Sequence, residues 1–565
     1  MKATVWKKAV TMMVAGVATL AMAGTAALSA QAAEQPSLTL TSTTDLTGRT
    51  FEAWEPILID NTATSDSADS YQLSINTGYD DAVRAAAVDA KLTVDGSKAI
   101  TAESSSADVL QAISYLGGAE KESDVDANNV YRTFADSLLK QIEAKGIEST
   151  VKSDAFVLSD DKLSVKASLP STGFYLVKET TAADPAAPST KENNSPVSLV
   201  ITTPVSKDVS VELKSSTPES HKNIVDVDSE GKITHQHKAD TAHENTAVHY
   251  ELTFYIPTSW ASQYTYKGFW FTMSDTLSEG LTFDQVDSIK VGTDFAPSAS
   301  DADFSTYTAP QMQQNGQKLT MNFGDPTGAD TTNNMKNLEL AGKWVKVYYT
   351  AHLNDKAIIA STGNDNDYDV TYQHDPQVAS DGEKTPEEHA YLYSFQIVMN
   401  KVDGNSNEKL ANATFSVLTK QGDTSSALKF NADPAVKNHY DYNPEGTLTE
   451  VSTDADGNLV FEGLKEGTYY LHEVNAPQGY NRLGADVQVE VKATNKDQKD
   501  ELARQDMPTP YEIHYTVNNV DAGSVTVKNY KGFLPRTGGF GIAVLVVAGI
   551  ALIAGGVMML ARKRA

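Results

Sequence analysis

The chain has 565 residues, a formal net charge of −28 at pH 7 and no cysteine. Such acidity repels a phosphate backbone and argues against nucleic acid as a partner. The missing cysteines exclude disulfides and thiol chemistry, so any covalent reinforcement must come from other side chains. At roughly 100 to 200 residues per domain, the length suggests about three domains.

Met1-Lys2, with Lys7 and Lys8, forms a positive segment ahead of an apolar run from Ala9 to Leu28, and Ala30-Gln31-Ala32 is a small-x-small cleavage site. This predicts a signal peptide over 1–32, cut between Ala32 and Ala33, and hence an exported chain. Residues 33–214 read as α+β. Ser37 to Thr41 and Ser164 to Leu169 alternate as half-buried strands do, and Val197 to Thr202 reads as a further strand, whereas Val130, Phe134, Leu138, Leu139 and Ile142 recur at helical spacing. The segment 182–196 is a polar, proline-bearing loop. Residues 215–390 are almost wholly strand and turn, with alternating runs such as AVHYELTFYI, KLTMNF and WVKVYYTAHL, which predicts a β-sandwich. A second sandwich is expected over 391–533, where two strands meet at LKEG and end in a Pro-Gly turn. The fold class is therefore mainly β, with tandem sandwiches behind an α+β N-terminal domain.

Residues 534–565 hold Leu534-Pro535-Arg536-Thr537-Gly538, an apolar span at 540–561 and the basic residues Arg562, Lys563 and Arg564. The span is long enough to cross a bilayer, and the basic end fits a positive-inside orientation. A leucine, a proline, any residue, a threonine and a glycine with these flanks resembles the cell-wall sorting signal of Gram-positive surface proteins. In that family a sortase cuts between the residues that are Thr537 and Gly538 here, holds the threonine carbonyl as a thioester, and passes it to an amine. Proline fixes an extended bend and glycine leaves little bulk beside the scissile carbonyl. The resemblance implies pilus-specific and housekeeping sortases, peptidoglycan and further copies of the chain as partners. Ancillary pilins and host-surface ligands join that set.

YYLHEVNAPQGY resembles the E-box of backbone pilins, with Glu473 in the defining place, and implies an immunoglobulin-like, Cna-B-type sandwich. In matching family domains, a lysine on the first strand bonds covalently to an asparagine on the last with help from that glutamate. The positions here are Lys401, Asn529 and Glu473. The chemistry suits these residue types. Burial lowers a lysine pKa toward the neutral, nucleophilic amine and raises that of a carboxyl, which can then protonate the amide it polarises.

In the middle domain, FTMSDTLSEGLTF resembles the family strand with a catalytic aspartate, here Asp275, and ESHKNIVD places Lys222 as the reactive lysine. The expected asparagine position reads Tyr372-Gln373-His374-Asp375-Pro376. His374 cannot form the amide, so either Asp375 serves with loss of water or the bond is absent. The pilin motif that supplies the acceptor lysine is met in part by Val209-Ser210-Val211-Glu212-Leu213-Lys214, with Lys207 as the other candidate. The resemblance thus implies a backbone subunit in which Thr537 joins Lys214 of the next copy, anchored to the cell wall and supporting adhesion. A monomeric wall-anchored adhesin or an ancillary pilin would share all but the Lys214 step.

No metal or cofactor is expected. His235, His237, His243 and His249 lack a fixed zinc spacing, and Asp454, Asp456 and Gly457 lack the closing glutamate of a calcium loop. No hydrolase elbow, P-loop or zincin motif is present, so the chain reads as a sortase substrate and single-turnover self-modifier rather than an enzyme.

Overall fold

The computed structural model describes residues 35–61, 71–94, 96–114, 127–182, 194–202, 207–213, 215–264, 267–298, 301–303, 310–329, 331–359, 363–495, 511–517, 520–522 and 525–531. The signal segment with Ala32 and Ala33, the acceptor candidate Lys214, the motif Leu534 to Gly538 and the span 540–561 lie outside them. Among the described residues, no helix is long and apolar enough to cross a membrane.

The architecture is mainly β, built as successive pairs of sheets. In the first part, one four-stranded sheet runs Asp208–Glu212, Ser37–Thr41, Ser164–Ser168, Val157–Leu158, and a second runs Tyr71–Ile75, Phe51–Asn61, Gly173–Glu179, Ser198–Ile201. Leu38, Leu40, Val165, Tyr175 and Val209 fill the space between them. The helices Asp80–Asp89, Ser106–Ser114 and Ala127–Lys145 cover the outer face of the second sheet, where Val83, Phe134, Leu138 and Ile142 meet Trp54, Leu176 and Leu199. Gly173–Glu179 is consequently buried on both faces, which explains its unbroken apolar run GFYLV.

The middle part pairs two larger sheets. One runs Ile233–His237, Glu219–Val227, Val248–Ile256, Lys343–Leu353, Leu281–Gly292, Ala302–Asp303. The other runs Ala239–Thr241, Glu388–Tyr393, Asn364–Gln373, Phe271–Leu277, Lys318–Phe323, Gln313–Asn315, with Gly382–Lys384 beside Asn364–Gln373. Their shared core is rich in rings, including Tyr250, Phe254, Trp260, Phe271 and Tyr349. The strand Glu388–Tyr393 belongs to this sheet and spans the boundary expected at 390/391.

In the third part, a five-stranded sheet (Phe430–Ala432, His439–Tyr442, Asn458–Leu464, Phe395–Asp403, Val525–Asn529) faces a six-stranded one containing Thr414–Leu418, Gly467–Asn475 and Val487–Asn495. The first and last strands of this sandwich, Phe395–Asp403 and Val525–Asn529, lie side by side and parallel, with Lys401 opposite Val527 and Asp403 opposite Asn529. Residues more than a hundred positions apart in sequence thereby become neighbours.

Candidate functional site

Strand alternation points every second side chain into a sandwich, and at Lys401 it buries a residue type that normally seeks water. The Lys401 and Glu473 side chains are fully enclosed, with Nζ 3.2 Å from Oε1. The Asn529 amide nitrogen donates to Glu473 Oε2 at 3.0 Å and to the Asn481 carbonyl at 2.7 Å, and the Leu483 N–H also donates to Oε2 at 2.7 Å. One carboxylate therefore reaches both the amine and the amide nitrogen. Lys401 Nζ and Glu473 Oε1 are buried with their mutual ion-pair contact, and Asn529 Oδ1 is buried without a hydrogen-bond partner. Burial holds the Lys401 amine below the ordinary lysine range, against the opposing pull of Glu473, and Nζ stands 5.5 Å from the centre of the Phe415 ring. Such a group is poised to react, because its solvation by water is gone and the Glu473 carboxylate, 3.2 Å away, stands ready to take its proton.

A second centre lies between the sheets of the middle part. Lys222, on Glu219–Val227, donates to Asp275 Oδ1, on Phe271–Leu277, and both side chains are buried. Lys222 Nζ is also 3.3 Å from the Tyr349 hydroxyl oxygen, which receives a 2.6 Å bond from Asn366 Nδ2. The same hydroxyl donates to Asp275 Oδ2 at 2.6 Å. Tyr349 stacks on Tyr250 with ring centres 5.1 Å apart and planes inclined by 10°. Burial lowers the Lys222 pKa and raises that of Asp275, outweighing their mutual attraction. Both shifts favour a neutral amine facing a protonated acid.

The structure brings Lys222 and Asp275 together, but it places Asp375 elsewhere. Asp375 follows the far end of Asn364–Gln373, seven strand residues or roughly 23 Å beyond Asn366 at ~3.3 Å per residue. There it caps the Gln377 N–H at 2.8 Å, while the neighbouring His374 carbonyl accepts from the Asn194 N–H at 3.0 Å. The amide beside the lysine belongs to Asn366, which is fully buried and whose Oδ1 has no partner. A sequence signal for it existed. In NDNDYDVTYQ, Asn364, Asn366, Tyr368 and Val370 all point inward, so Asn366 sits on the apolar phase of the strand.

The four histidines do not converge on one site. His235 and His237 share Asp226, at 3.6 and 2.8 Å, His249 meets Asp287 at 3.3 Å, and His243 stacks on Tyr442. Asp367, Glu387 and His389 bring ligand atoms within 4.8 Å of one another, and His389 Nδ1 lies 2.7 Å from Asp367. Asp454 to Gly457 is a turn, closed by the Asp456 N–H donating to Asp454 Oδ1 at 2.9 Å.

Residues 395–505 match the family model of SpaA, a prealbumin-like fold domain. A curated relative, the trypsin-resistant surface T6 protein of Streptococcus pyogenes serotype M6, is 25% identical over 291 residues, covering 47% of this chain. The alignment spans 44% of that relative's length. Among solved structures, the T6 backbone pilin of serotype M6 Streptococcus pyogenes aligns with TM-score 0.48 and 16% identity, over 88% of this chain and 99% of that one. The major pilin SpaA of Corynebacterium diphtheriae aligns with TM-score 0.43 and 16% identity, over 88% and 100%. The family model and the curated surface protein bear out the sequence resemblance to backbone pilins of Gram-positive bacteria.

Proposed function

We propose that the chain is the backbone subunit of a covalent, sortase-assembled pilus on a Gram-positive cell wall, and that each of its two larger sandwiches is locked by a lysine–asparagine isopeptide bond. The observation that carries this reading is the repeated buried centre: lysine, acid and asparagine at Lys401, Glu473 and Asn529, and again at Lys222, Asp275 and Asn366.

In the third domain, the neutral Lys401 Nζ attacks Cγ of Asn529 and forms a new C–N bond. Glu473 takes the surplus proton from the amine and returns it to Nδ2, which leaves as ammonia. The product is an amide in a dry core, formed once without turnover and requiring no cofactor. A bond between first and last strands lets tension pass along the backbone at the domain's edge rather than through its hydrogen-bonded sheets. That is the mechanical demand on a fibre subunit, and it suits a chain without cysteine.

Between subunits, Thr537 joins Lys214 of the next copy through sortase, and peptidoglycan receives the last subunit. Cells expressing the chain should show detergent-resistant ladders of covalent multimers that disappear in Lys214→Ala. A ladder that persists in this variant moves the acceptor to another lysine, and no ladder in the unmutated strain replaces the backbone reading with a monomeric wall-anchored one.

A further inference from the structure

The two centres carry different acids, and the difference has a geometric consequence. Glu473 touches both reacting nitrogens directly, with Oε1 3.2 Å from the lysine and Oε2 3.0 Å from the asparagine. Aspartate is one methylene shorter. Asp275 Oδ1 meets Lys222, but Oδ2 is occupied by the Tyr349 hydroxyl, and it is that hydroxyl which meets Asn366 Nδ2.

We infer that Tyr349 is a catalytic residue of the middle-domain reaction, relaying a proton from Asp275 to the departing nitrogen of Asn366. This rests on the isopeptide reading of that centre. The hydroxyl lies 2.6 Å from the acid, 2.6 Å from the leaving nitrogen and 3.3 Å from the nucleophile, so a single oxygen touches every reacting group. As Lys222 Nζ bonds to Cγ of Asn366, Asp275 takes one amine proton. Tyr349 gives its hydroxyl proton to Nδ2, the C–N bond to Nδ2 breaks, and ammonia departs. In the same step Asp275 passes a proton to the phenol oxygen, so the hydroxyl is never left deprotonated, every proton is accounted for and no other reactant is needed.

Burial, with Asp275 and Tyr250 adding to it, pushes the Tyr349 pKa well above the usual phenol range. The hydroxyl therefore acts by concerted transfer, losing one proton as it gains another, and never stands as a free phenolate. Tyr250 provides an internal control. It packs against the same lysine, with Nζ 5.3 Å from its ring centre, and its hydroxyl lies near Asn366, but the bond to Asp275 belongs to Tyr349.

The test compares intact mass and the Lys222–Asn366 cross-linked peptide in the unmutated full chain, Tyr349→Phe and Tyr250→Phe, sampled over days after purification. Phenylalanine keeps the stacked ring and removes only the hydroxyl. Tyr349→Phe should fold, shown by unchanged circular dichroism and by ammonia loss from the third domain of the same molecule. Its middle-domain conversion should be slower by about a hundredfold or more. Tyr250→Phe should convert fully. Conversion of Tyr349→Phe at the unmutated rate, or equal slowing in Tyr250→Phe, overturns the relay. Absence of the cross-link from the unmutated chain instead overturns the bond itself, so the two failures are distinguishable. If Tyr349→Phe fails the folding check, the relay is tested in unmutated protein by its solvent isotope effect: slower conversion in deuterium oxide supports it, and an unchanged rate overturns it.

Discussion

Among the described residues three lysines are fully enclosed, and burial alone does not make them alike. Lys346 lies 2.7 Å from Asp301 and donates to the Ala296 carbonyl at 2.9 Å, an arrangement that satisfies an ammonium and offers no amide to attack. Lys222 and Lys401 each face an acid with an asparagine beside it. The third group distinguishes a reactive centre from a buried ion pair, because removing a partner from an enclosed charge is costly whereas converting amine and amide to a new amide abolishes the charge. Asn366→Ala should therefore eliminate the Lys222 cross-link, and Asp375→Ala should leave it intact, as peptide mass mapping can decide. Lys401, Glu473 and Asn529 were legible from sequence because the E-box and the terminal strands carry recognisable residues at the expected places. Asn366 was not, because the family pattern points to Gln373-His374-Asp375 at the strand end, whereas the register of Phe271–Leu277 against Asn364–Gln373 sets Asn366 opposite Leu277, bonded to the tyrosine that meets Lys222.

At the level of elements, strand alternation was the most reliable guide. Ser37–Thr41, Ser164–Ser168, Val248–Ile256, Lys318–Phe323 and Lys343–Leu353 all form where apolar and polar residues alternate, and the helix Ala127–Lys145 buries the residues spaced for it. The order of strands within each sheet was less accessible, since the parallel pairings of Ser37–Thr41 with Asp208–Glu212 and of Phe395–Asp403 with Val525–Asn529 join segments far apart in sequence. Those long-range pairs are where a covalent bond has most effect. By loop-closure entropy, tying Lys401 to Asn529 should stabilise the third domain by roughly 5 kcal/mol. Lys401→Ala should accordingly lower its melting temperature by about 10 to 20 °C in calorimetry. A change of only a degree or two would mean that the bond does not form or adds nothing.

Across the whole molecule, the middle and third domains meet through Ala242 to Asn245. The Glu244 N–H donates to the Gly463 carbonyl at 3.0 Å, Asn245 Nδ2 donates to the Tyr442 carbonyl at 3.1 Å, and the His243 ring stacks on Tyr442 at 4.4 Å. The Glu244 carboxyl lies over Gly463, where a Cβ would stand 2.7 Å from it. Burial, reinforced by Asp441, Glu462 and Asp355, pushes the Glu244 pKa up to about 8. Burial, aided by Lys465, holds that of His243 down at about 4. A raised carboxyl favours docking when protonated, so its contribution is complete below its undocked value and is lost as pH rises through about 8. A lowered imidazole favours docking when neutral, so its contribution is lost as pH falls through about 4. The joint should thus be stiffest between these limits. Spin labels at Glu230→Cys and Gln421→Cys in this cysteine-free chain should show an interdomain distance that broadens above about pH 8, and Glu244→Gln should remove the broadening. Identical pH dependence in Glu244→Gln would contradict the assignment.

If the two buried centres convert themselves into amide bonds, the intact mass of the unmutated chain must record it. The mass should fall below that calculated for the same processed polypeptide by two molecules of ammonia. Glu473→Ala should restore one, and Asn366→Ala the other. The full calculated mass of that processed polypeptide would rule out both bonds, and loss of water in place of ammonia would rule out asparagine as the partner.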